Sequence, residues 1–185
     1  MSARARLLTL LTDRSFEKRR VVLASGKESD FFIDCKQTVL TAEGHALAGE
    51  LMFEALAQLP VPHRHVAVAG VELGGCPLAS AVAVVSFQRG APLDAIYVRK
   101  EAKDHGSKRL LEGNTRIARG ASVAILEDVV TTGGSTLKAA SKLQDAGYLV
   151  AGVIALVDRL EGGRDAIEGA GLKLVALYSR ADFMS

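Results

Sequence analysis

The chain has 185 residues, of which 49% are hydrophobic and 24% charged, and its formal net charge at pH 7 is +2. This composition is typical of a globular domain and excludes collagen, coiled coil and a disordered chain. No apolar run approaches the ~20 residues that a membrane-spanning helix needs, and the small net charge does not favour nucleic-acid binding. We therefore predict a single domain over residues 1–185, with neither a membrane nor a nucleic acid as partner.

The cysteines and the N-terminal segment bear on the cellular compartment. Cys35 and Cys76 show neither a CxxC motif nor the spacing of metal ligands. The apolar run 7–11, which follows Arg4 and Arg6, has five residues, too few for the apolar region of a secretory signal. An amphipathic helix is the preferred interpretation of this segment, and a mitochondrial presequence is the alternative. We predict a cytoplasmic protein with free thiols.

That helix, from residue 1 to about 11, is the first predicted element. Two short strands, 20–23 and 30–34, follow on either side of a turn at residues 25–27. Apolar residues along one stripe predict a second helix over 43–59, capped by Thr41 and ended by the prolines after it. The stripe consists of Leu47, Leu51, Ala55 and Leu59.

From residue 66 onward, short apolar runs alternate with helical patterns. The predicted strands are 66–69, 94–98, 122–126, 150–157 and 172–177, and the predicted helices are 77–87 and 136–146. Continuously apolar strands are what a sheet buried on both faces requires, and parallel strands need crossover helices. The fold class is therefore predicted as α/β, with a central, mostly parallel sheet flanked by helices.

An acidic pair at the end of the 122–126 strand is the strongest local signal. Glu127 and Asp128 lead into residues 131–135, the phosphate loop, which holds three hydroxyl side chains and two glycines before a helix begins. Ligands of open α/β sheets bind at the carboxyl ends of strands, and a glycine-containing loop at a helix N-terminus suits a phosphate. The carboxylates suit sugar hydroxyls or a hydrated Mg²⁺.

A polar, glycine-punctuated segment over 100–120 is the one part that does not fit the core. Three cations and a histidine stand where it begins: Arg99 just before the segment, and Lys100, Lys103 and His105 within it. Arg and Lys bind a diphosphate through charge-assisted hydrogen bonds. A long polar loop inside a compact domain is usually a functional lid or a disordered segment.

These two motifs carry a resemblance to a known family. The strand, acidic pair and loop resemble the phosphoribosyl-diphosphate (PRPP) motif of type I phosphoribosyltransferases, and residues 99–106 resemble the catalytic loop of the orotate phosphoribosyltransferase family. Three further segments are similar to that family over about residues 20–163. They are the orotate-side segment 25–34, the diphosphate-binding turn 70–77, and the pair Asp158 and Arg159, whose arginine faces the orotate carboxylate.

The resemblance implies a fold and a set of site residues. The implied core spans about 41–160, and a small hood is formed by about 1–40 and the C-terminal segment, with a long mobile catalytic loop. The PRPP contacts it implies are Arg99, Lys100, Lys103, His105, Glu127, Asp128, Val129, Val130, Thr131, Thr132, Gly133, Gly134 and Ser135. The orotate contacts are Lys27, Phe31, Phe32, Thr131 and Arg159, and core packing alone is the alternative for one of the two phenylalanines.

The implied activity transfers the phosphoribosyl group from PRPP to orotate, giving orotidine 5′-monophosphate and diphosphate. Arg99, Lys100, Lys103, His105 and Asp128 would carry it, with Lys103 or His105 as general acid. Mg²⁺ would be held mainly by PRPP and water, near Asp128. Because the family's loop acts in the neighbouring subunit's site, a homodimer with shared active sites is implied.

The chain departs from the family pattern at two positions. Some members carry lysine where this chain has Ala24 and Gly74, and Lys27 or Lys36 are the candidates to replace that charge. Two other functions remain as alternatives: a phosphoribosyltransferase for another nucleobase, and a regulator that senses PRPP.

Overall fold

The computed structural model of the chain describes residues 1–19, 21–22, 28–60, 65–101 and 110–184. The helices are α1 (Ala3–Arg14), α2 (Lys36–Val39), α3 (Ala42–Ala55), α4 (Gly75–Gln88), α5 (Gly134–Asp145), α6 (Gly163–Gly169) and α7 (Ala181–Met184), and a 3₁₀ turn (Leu56–Gln58) follows α3. The strands are β1 (Phe16–Glu17), β2 (Val21–Val22), β3 (Glu28–Ser29), β4 (Phe32–Ile33), β5 (Ala67–Val71), β6 (Asp94–Val98), β7 (Leu111–Glu112), β8 (Ser122–Val130), β9 (Leu149–Asp158) and β10 (Leu174–Ser179).

A six-stranded sheet in the order β10-β9-β8-β5-β6-β7 forms the centre of the molecule. All neighbours are parallel except β7, which runs antiparallel to β6. The five predicted apolar strands are those of the parallel part, so the α/β prediction is confirmed. The short antiparallel strand β7 was not predicted, because its sequence lies inside the polar segment 100–120.

Helices cover both faces of this sheet. Alternate residues of β8 enter different cores: Ala124 and Leu126 pack with α1, α3 and α4, whereas Val123 and Ile125 pack with α5 and α6. A strand buried on both faces must be apolar at every position, which explains the continuous runs in the sequence. Among the described residues, no helix combines the length and apolar character needed to cross a membrane.

Helix α3 begins where the sequence predicts and buries a stripe that coincides only in part with the predicted one, at Ala55. The Thr41 side chain accepts a hydrogen bond from the Gly44 N–H at 3.2 Å, so the predicted cap is confirmed. The buried residues of the helix are Gly44, Ala48, Gly49, Met52 and Ala55, and the predicted Leu47 and Leu51 are only half-buried. Small residues face α4 because the helices approach closely: a Cβ on Gly49 would lie 2.9 Å from that of Ala81.

The N-terminal strands form two separate antiparallel pairs. Val21–Val22 pairs with Glu28–Ser29, whereas Phe32–Ile33 pairs with the unpredicted strand Phe16–Glu17. The reason lies in the aromatic side chains: the rings of Phe16, Phe31 and Phe183 pack together with centroid distances of 5.1 to 5.7 Å. This contact joins the N-terminal segment to α7 at the C-terminus.

Candidate active site

The carboxyl ends of four parallel strands bring the candidate residues to one edge of the sheet. The register pairs Val71 of β5 with Val98 of β6, and Val130 of β8 with Asp158 of β9. The segments that follow these strands are residues 72–74, 99–101, 131–133 and 159–162. Every motif singled out in the described part of the core therefore lies at the same edge of the sheet. The predicted site residues Lys27, Lys103 and His105 lie outside the described residues.

Glu127 and Asp128 lie inside β8, since the strand runs on to Val130 rather than ending at residue 126. Glu127 is 4% exposed, and its Oε2 accepts hydrogen bonds from Thr136 Oγ1 at 3.0 Å and Ser135 Oγ at 3.5 Å. Burial, and next the charge of Asp128, raise the pKa of Glu127 to about 8. Glu127 thus fastens the strand to the first turn of α5.

Asp128 points to the opposite side of the strand and is half-buried. A Cβ added to Gly74 would lie 1.9 Å from Asp128 Oδ2, so the carboxylate rests directly against the backbone of the neighbouring turn. This approach gives a physical reason why Gly74 has no side chain where some family members carry lysine. Burial raises the pKa of Asp128, and the positive charge of Lys36 acts against that shift.

Lys36 is the described candidate for the missing positive charge. Its Nζ lies 2.5 Å from Asp34 Oδ1, and the Asp34 and Asp128 carboxylates both raise the pKa of Lys36. The adjacent Cys35 is buried, with its Sγ 3.9 Å from the carbonyl oxygen of Asp128. Burial raises the pKa of both thiols, that of Cys76 to about 11.

The phosphate loop is largely exposed between β8 and α5. Thr132, Gly134 and Ser135 are exposed, and no described side chain caps the N-terminus of α5. The pattern of the loop favours a positive φ at Gly133 and Gly134, and the structure has one at Gly133, with φ +79°, but not at Gly134. An uncapped helix N-terminus with free N–H groups is a suitable anion site.

A second glycine pair, missed in the sequence, supports this loop. A Cβ added to Gly163 would lie 2.6 Å from Thr131 O, and a Cβ added to Gly133 would lie 3.0 Å from Gly163 O. Each glycine therefore lies directly against the backbone of the other segment. Gly162 and Gly163 follow the Asp158–Arg159 pair closely in the sequence, and this adjacency was the available signal.

Arg159 occupies a nearly closed position beside the phosphate loop. It is 9% exposed, and its Nη2 donates to Phe31 O at 3.0 Å and lies 2.9 Å from Glu161 Oε1. Phe31 is fully buried in the aromatic cluster, so it packs in the core, whereas Phe32 is half-buried with the Arg19 guanidinium 4.0 Å from its ring centroid. Arg159 therefore contacts the segment that carries both phenylalanines.

Arg99 and Lys100 begin the polar segment beside a cavity of about 340 Å³. Val71, Val98, Glu101, Ser135, Lys138, Ala139 and Lys142 line the rest of that cavity. The Arg99 guanidinium turns back toward its own segment, with Nε donating to Glu101 O at 3.3 Å and Nη1 lying 4.0 Å from Glu112 Oε1.

A profile of the phosphoribosyl transferase domain matches residues 40–170 of the chain. This span contains the sheet edge from β5 to α6, with the phosphate loop and Asp128. The fold and the site thus define the chain as a phosphoribosyltransferase.

Similar proteins narrow the class. The chain is 69% identical over 183 residues to the orotate phosphoribosyltransferase of Sorangium cellulosum (strain So ce56), which covers 99% of this chain and 94% of that relative. The crystal structure of Mycobacterium tuberculosis H37Rv orotate phosphoribosyltransferase with Fe(III) dicitrate superposes with a TM-score of 0.82 at 38% identity, covering 98% of this chain and 99% of that one. The crystal structure of the same enzyme in complex with PRPP superposes with a TM-score of 0.79 at 34% identity, covering 100% of each chain. The chain belongs to the orotate phosphoribosyltransferase family.

Proposed function

We propose that the chain transfers the phosphoribosyl group of PRPP to orotate, giving orotidine 5′-monophosphate and diphosphate in the synthesis of UMP. The observation that carries this proposal is the placement of Arg159 against the phosphate loop. Its backbone N–H donates at 3.0 Å to the carbonyl oxygen of Val130, the residue before the phosphate loop, and its guanidinium donates to Phe31 O in the segment that resembles the orotate side. An arginine suits the carboxylate of orotate because its guanidinium can bind both oxygens.

The roles of the remaining residues follow from their chemistry. The phosphate loop, with Val129 and Val130 before it, binds the 5′-phosphate, and Asp128 accepts hydrogen bonds from the ribose hydroxyls. Displacement of diphosphate from the anomeric carbon develops positive charge on the ribose and negative charge on the leaving group. The nearby Asp128 carboxylate stabilises the positive charge on the ribose. The negative charge on the diphosphate is stabilised by the cations of one segment, which are Arg99, Lys100, Lys103 and His105.

The proposal includes Mg²⁺, which would neutralise charge on the diphosphate. The described residues contain no group of three His, Cys, Asp or Glu side chains arranged to hold a metal. A single half-buried carboxylate, Asp128, fits an ion that takes most of its ligands from phosphate oxygens and water.

A homodimer with shared sites is also part of the proposal. An apolar stripe on α4 and the turn before it supports it: Leu73, Val84 and Phe87 are exposed, Phe87 by 75%. Tyr97, at the end of β6, hydrogen-bonds to Ser80 on the same face of α4. Since Arg99 and Lys100 come two and three residues after Tyr97, a second copy seated on this stripe would have these cations at its rim.

A cytoplasmic location is the last part of the proposal. The free, buried state of both cysteines supports it, because disulfides are rare in the reducing cytosol.

The test is the near-ultraviolet absorbance of orotate mixed with the protein, PRPP and Mg²⁺. We expect a steady loss that stops when PRPP or Mg²⁺ is omitted. Diphosphate release with adenine, guanine or uracil but not orotate would contradict the choice of base. PRPP binding without turnover of any base would indicate a PRPP sensor instead.

Shared sites are tested by mixing two inactive variants. Lys103→Ala removes a loop cation, and Asp128→Asn removes the ribose carboxylate, so a mixed dimer retains one intact site if the loop acts in the partner. We expect partial recovery of activity. Mixed dimers that form and stay inactive would contradict shared sites.

A further inference from the structure

Two charged side chains hold the backbone of Arg99 and Lys100 from opposite sides. Lys142 of α5 donates its Nζ hydrogens to the carbonyl oxygens of Arg99 at 2.7 Å and Lys100 at 2.8 Å. Glu72, in the turn after β5, accepts the Lys100 N–H on its Oε2 at 2.8 Å. The Arg99 N–H donates to Leu110 O at 2.9 Å.

These hydrogen bonds pair all four backbone polar groups of the Arg99–Lys100 dipeptide, which follows the last residue of β6. Strand β6 stops at Val98, and within the described part of the chain the Arg99 N–H is the one polar backbone group of the dipeptide that pairs with another backbone group. The other three polar groups are bound by a lysine or a glutamate, and hydrogen bonds to charged groups are about twice as strong as neutral ones. The direction in which this dipeptide leaves the sheet is therefore set by side chains of two other elements.

Each of those elements also builds part of the anion site. Lys142 lies on the helix whose first turn follows the phosphate loop, eight residues after Gly134, or roughly 12 Å along the axis. Glu72 lies two residues before Gly74, against which the Asp128 carboxylate rests. Cavities of about 340 and 460 Å³ border Lys142, so the lysine spans the gap between α5 and the dipeptide.

We propose that Glu72 and Lys142 are positioning residues for phosphoribosyl transfer. They fix where the backbone of Arg99 and Lys100 leaves the sheet, and so, in a dimer with shared sites, fix the origin of two cations that meet the diphosphate. The inference rests on the proposed function. Neither residue touches the substrate: the Lys142 ammonium is directed at two carbonyls, and a glutamate has no attraction for a diphosphate.

The first test compares Lys142→Met, which keeps most of the apolar stem, with Lys142→Arg, which keeps a donor. Lys173→Met is the matched control, since Lys173 also donates to a backbone carbonyl, that of Gln58 at 2.8 Å, beside the start of β10. We expect Lys142→Met to lower kcat/KM for PRPP about 10-fold, the size expected for a small displacement of a binding group. Lys142→Arg should recover most of that loss, and the Kd of orotate and the Tm should stay unchanged.

Glu72 supplies an independent second arm. Glu72→Gln keeps an oxygen that accepts the Lys100 N–H, whereas Glu72→Leu does not. We expect Glu72→Gln to stay within about 2-fold of the parent and Glu72→Leu to lose about 5-fold in kcat/KM for PRPP. Losses in the Glu72→Leu, Lys142→Met double variant should be less than multiplicative, since both side chains hold one dipeptide.

The outcomes separate this inference from the proposed function. An unsubstituted protein that does not consume orotate contradicts the function. An active protein in which Lys142→Met behaves like Lys173→Met overturns the positioning role, as does an equal loss in orotate affinity. If Lys142→Met does not fold, the Glu72 pair decides: equal activity of Glu72→Gln and Glu72→Leu overturns the role.

Discussion

The turn between β8 and α5 and the turn between β5 and α4 occupy equivalent places, each joining a parallel strand to the helix that follows it. The first, residues 131–133, is rich in hydroxyl groups, takes a positive φ at Gly133 and leaves the helix end open. The second, residues 72–74, contains an acid and no cation, and its Gly74 lies against the Asp128 carboxylate.

The difference shows that equal topology does not give equal chemistry. At the phosphate loop the backbone itself provides the donors, so the site requires one conformation and few particular side chains. At the 72–74 turn the negative charges of Glu72 and Asp128 repel an anion. A diphosphate bound there depends on cations brought by other segments, which are Lys36, Arg99 and Lys100 in the described part of the chain.

The largest expected effect comes from Gly133→Ala in the phosphate loop. A side chain at φ +79° is strained by about 1–2 kcal/mol and would lie 3.0 Å from Gly163 O, so the loop must shift. We expect kcat/KM for PRPP to fall about 100-fold, as for a misplacement near 1 Å.

Gly120→Ala is the control for Gly133→Ala. Gly120 also has a positive φ, +80°, and has open space around the position of a Cβ. It should lose similar stability and keep its activity. Equal kinetic losses in the two variants would show that general destabilisation, rather than loop conformation, explains the effect.

Gly74→Ala tests the second turn. Its new methyl group would occupy the space of the Asp128 carboxylate, which must move away from the ribose site. We expect kcat/KM for PRPP to fall about 30-fold, less than for Gly133→Ala because a side chain yields more easily than a backbone. Steady-state kinetics beside Gly169→Ala, a glycine with open space around it, provide the measurement.

A double variant shows whether the carboxylate transmits this effect. With Asp128→Ala already present, Gly74→Ala should cause little further loss, because the group it displaces is gone. Multiplicative losses would mean that the turn acts independently of Asp128.

Lys36→Met tests whether a neighbouring cation supplies the charge that the second turn lacks. We expect the KM for PRPP to rise about 10-fold and that for orotate to change little, because the lysine compensates Asp128 and not the base site. Lys36→Arg should retain most of the affinity. An unchanged KM for PRPP in Lys36→Met would assign the missing charge to other residues.

The smallest expected effect is on stability, from Glu127→Gln. Since the pKa of Glu127 is raised to about 8, the folded protein binds more protons than the unfolded one from about pH 4.5 to 8, and its stability falls as pH rises through that window. Glutamine does not titrate and still accepts the Thr136 hydrogen bond. The free energy of unfolding, measured with urea, should therefore fall less between pH 5 and pH 8 in the variant than in the unsubstituted protein. The difference should be on the order of 1 kcal/mol. Equal losses in both proteins would contradict a neutral Glu127.

The sequence predicted the sheet well because the pattern of a doubly buried strand is local. It also predicted which motifs the strand ends bring to one edge of the sheet, since glycines and charges stand beside the strand ends in the chain at Asp128, Gly133 and Arg159. The predicted stripe was right at Ala55 and Leu59, which are buried. It missed the small residues that contact with α4 selects, a property of two helices together rather than of one.

Contacts between distant residues were beyond the sequence for the same reason. Lys142 has the pattern of an ordinary solvent-facing helix lysine, and its two carbonyl partners are 42 and 43 residues away. Which of Phe31 and Phe32 packs in the core depended on the aromatic cluster formed with Phe183, which comes from the other end of the chain.

The burial of Cys35 and Cys76 has a consequence for reagents. Alkylating agents react with the thiolate, and both thiols hold their protons more tightly than a free cysteine does. At neutral pH the native protein should take up iodoacetamide slowly and tolerate air without added reductant. Covalent electrophiles aimed at cysteine are thus poor inhibitors of this chain, and fast alkylation serves instead as a signal that molecules in a preparation have unfolded.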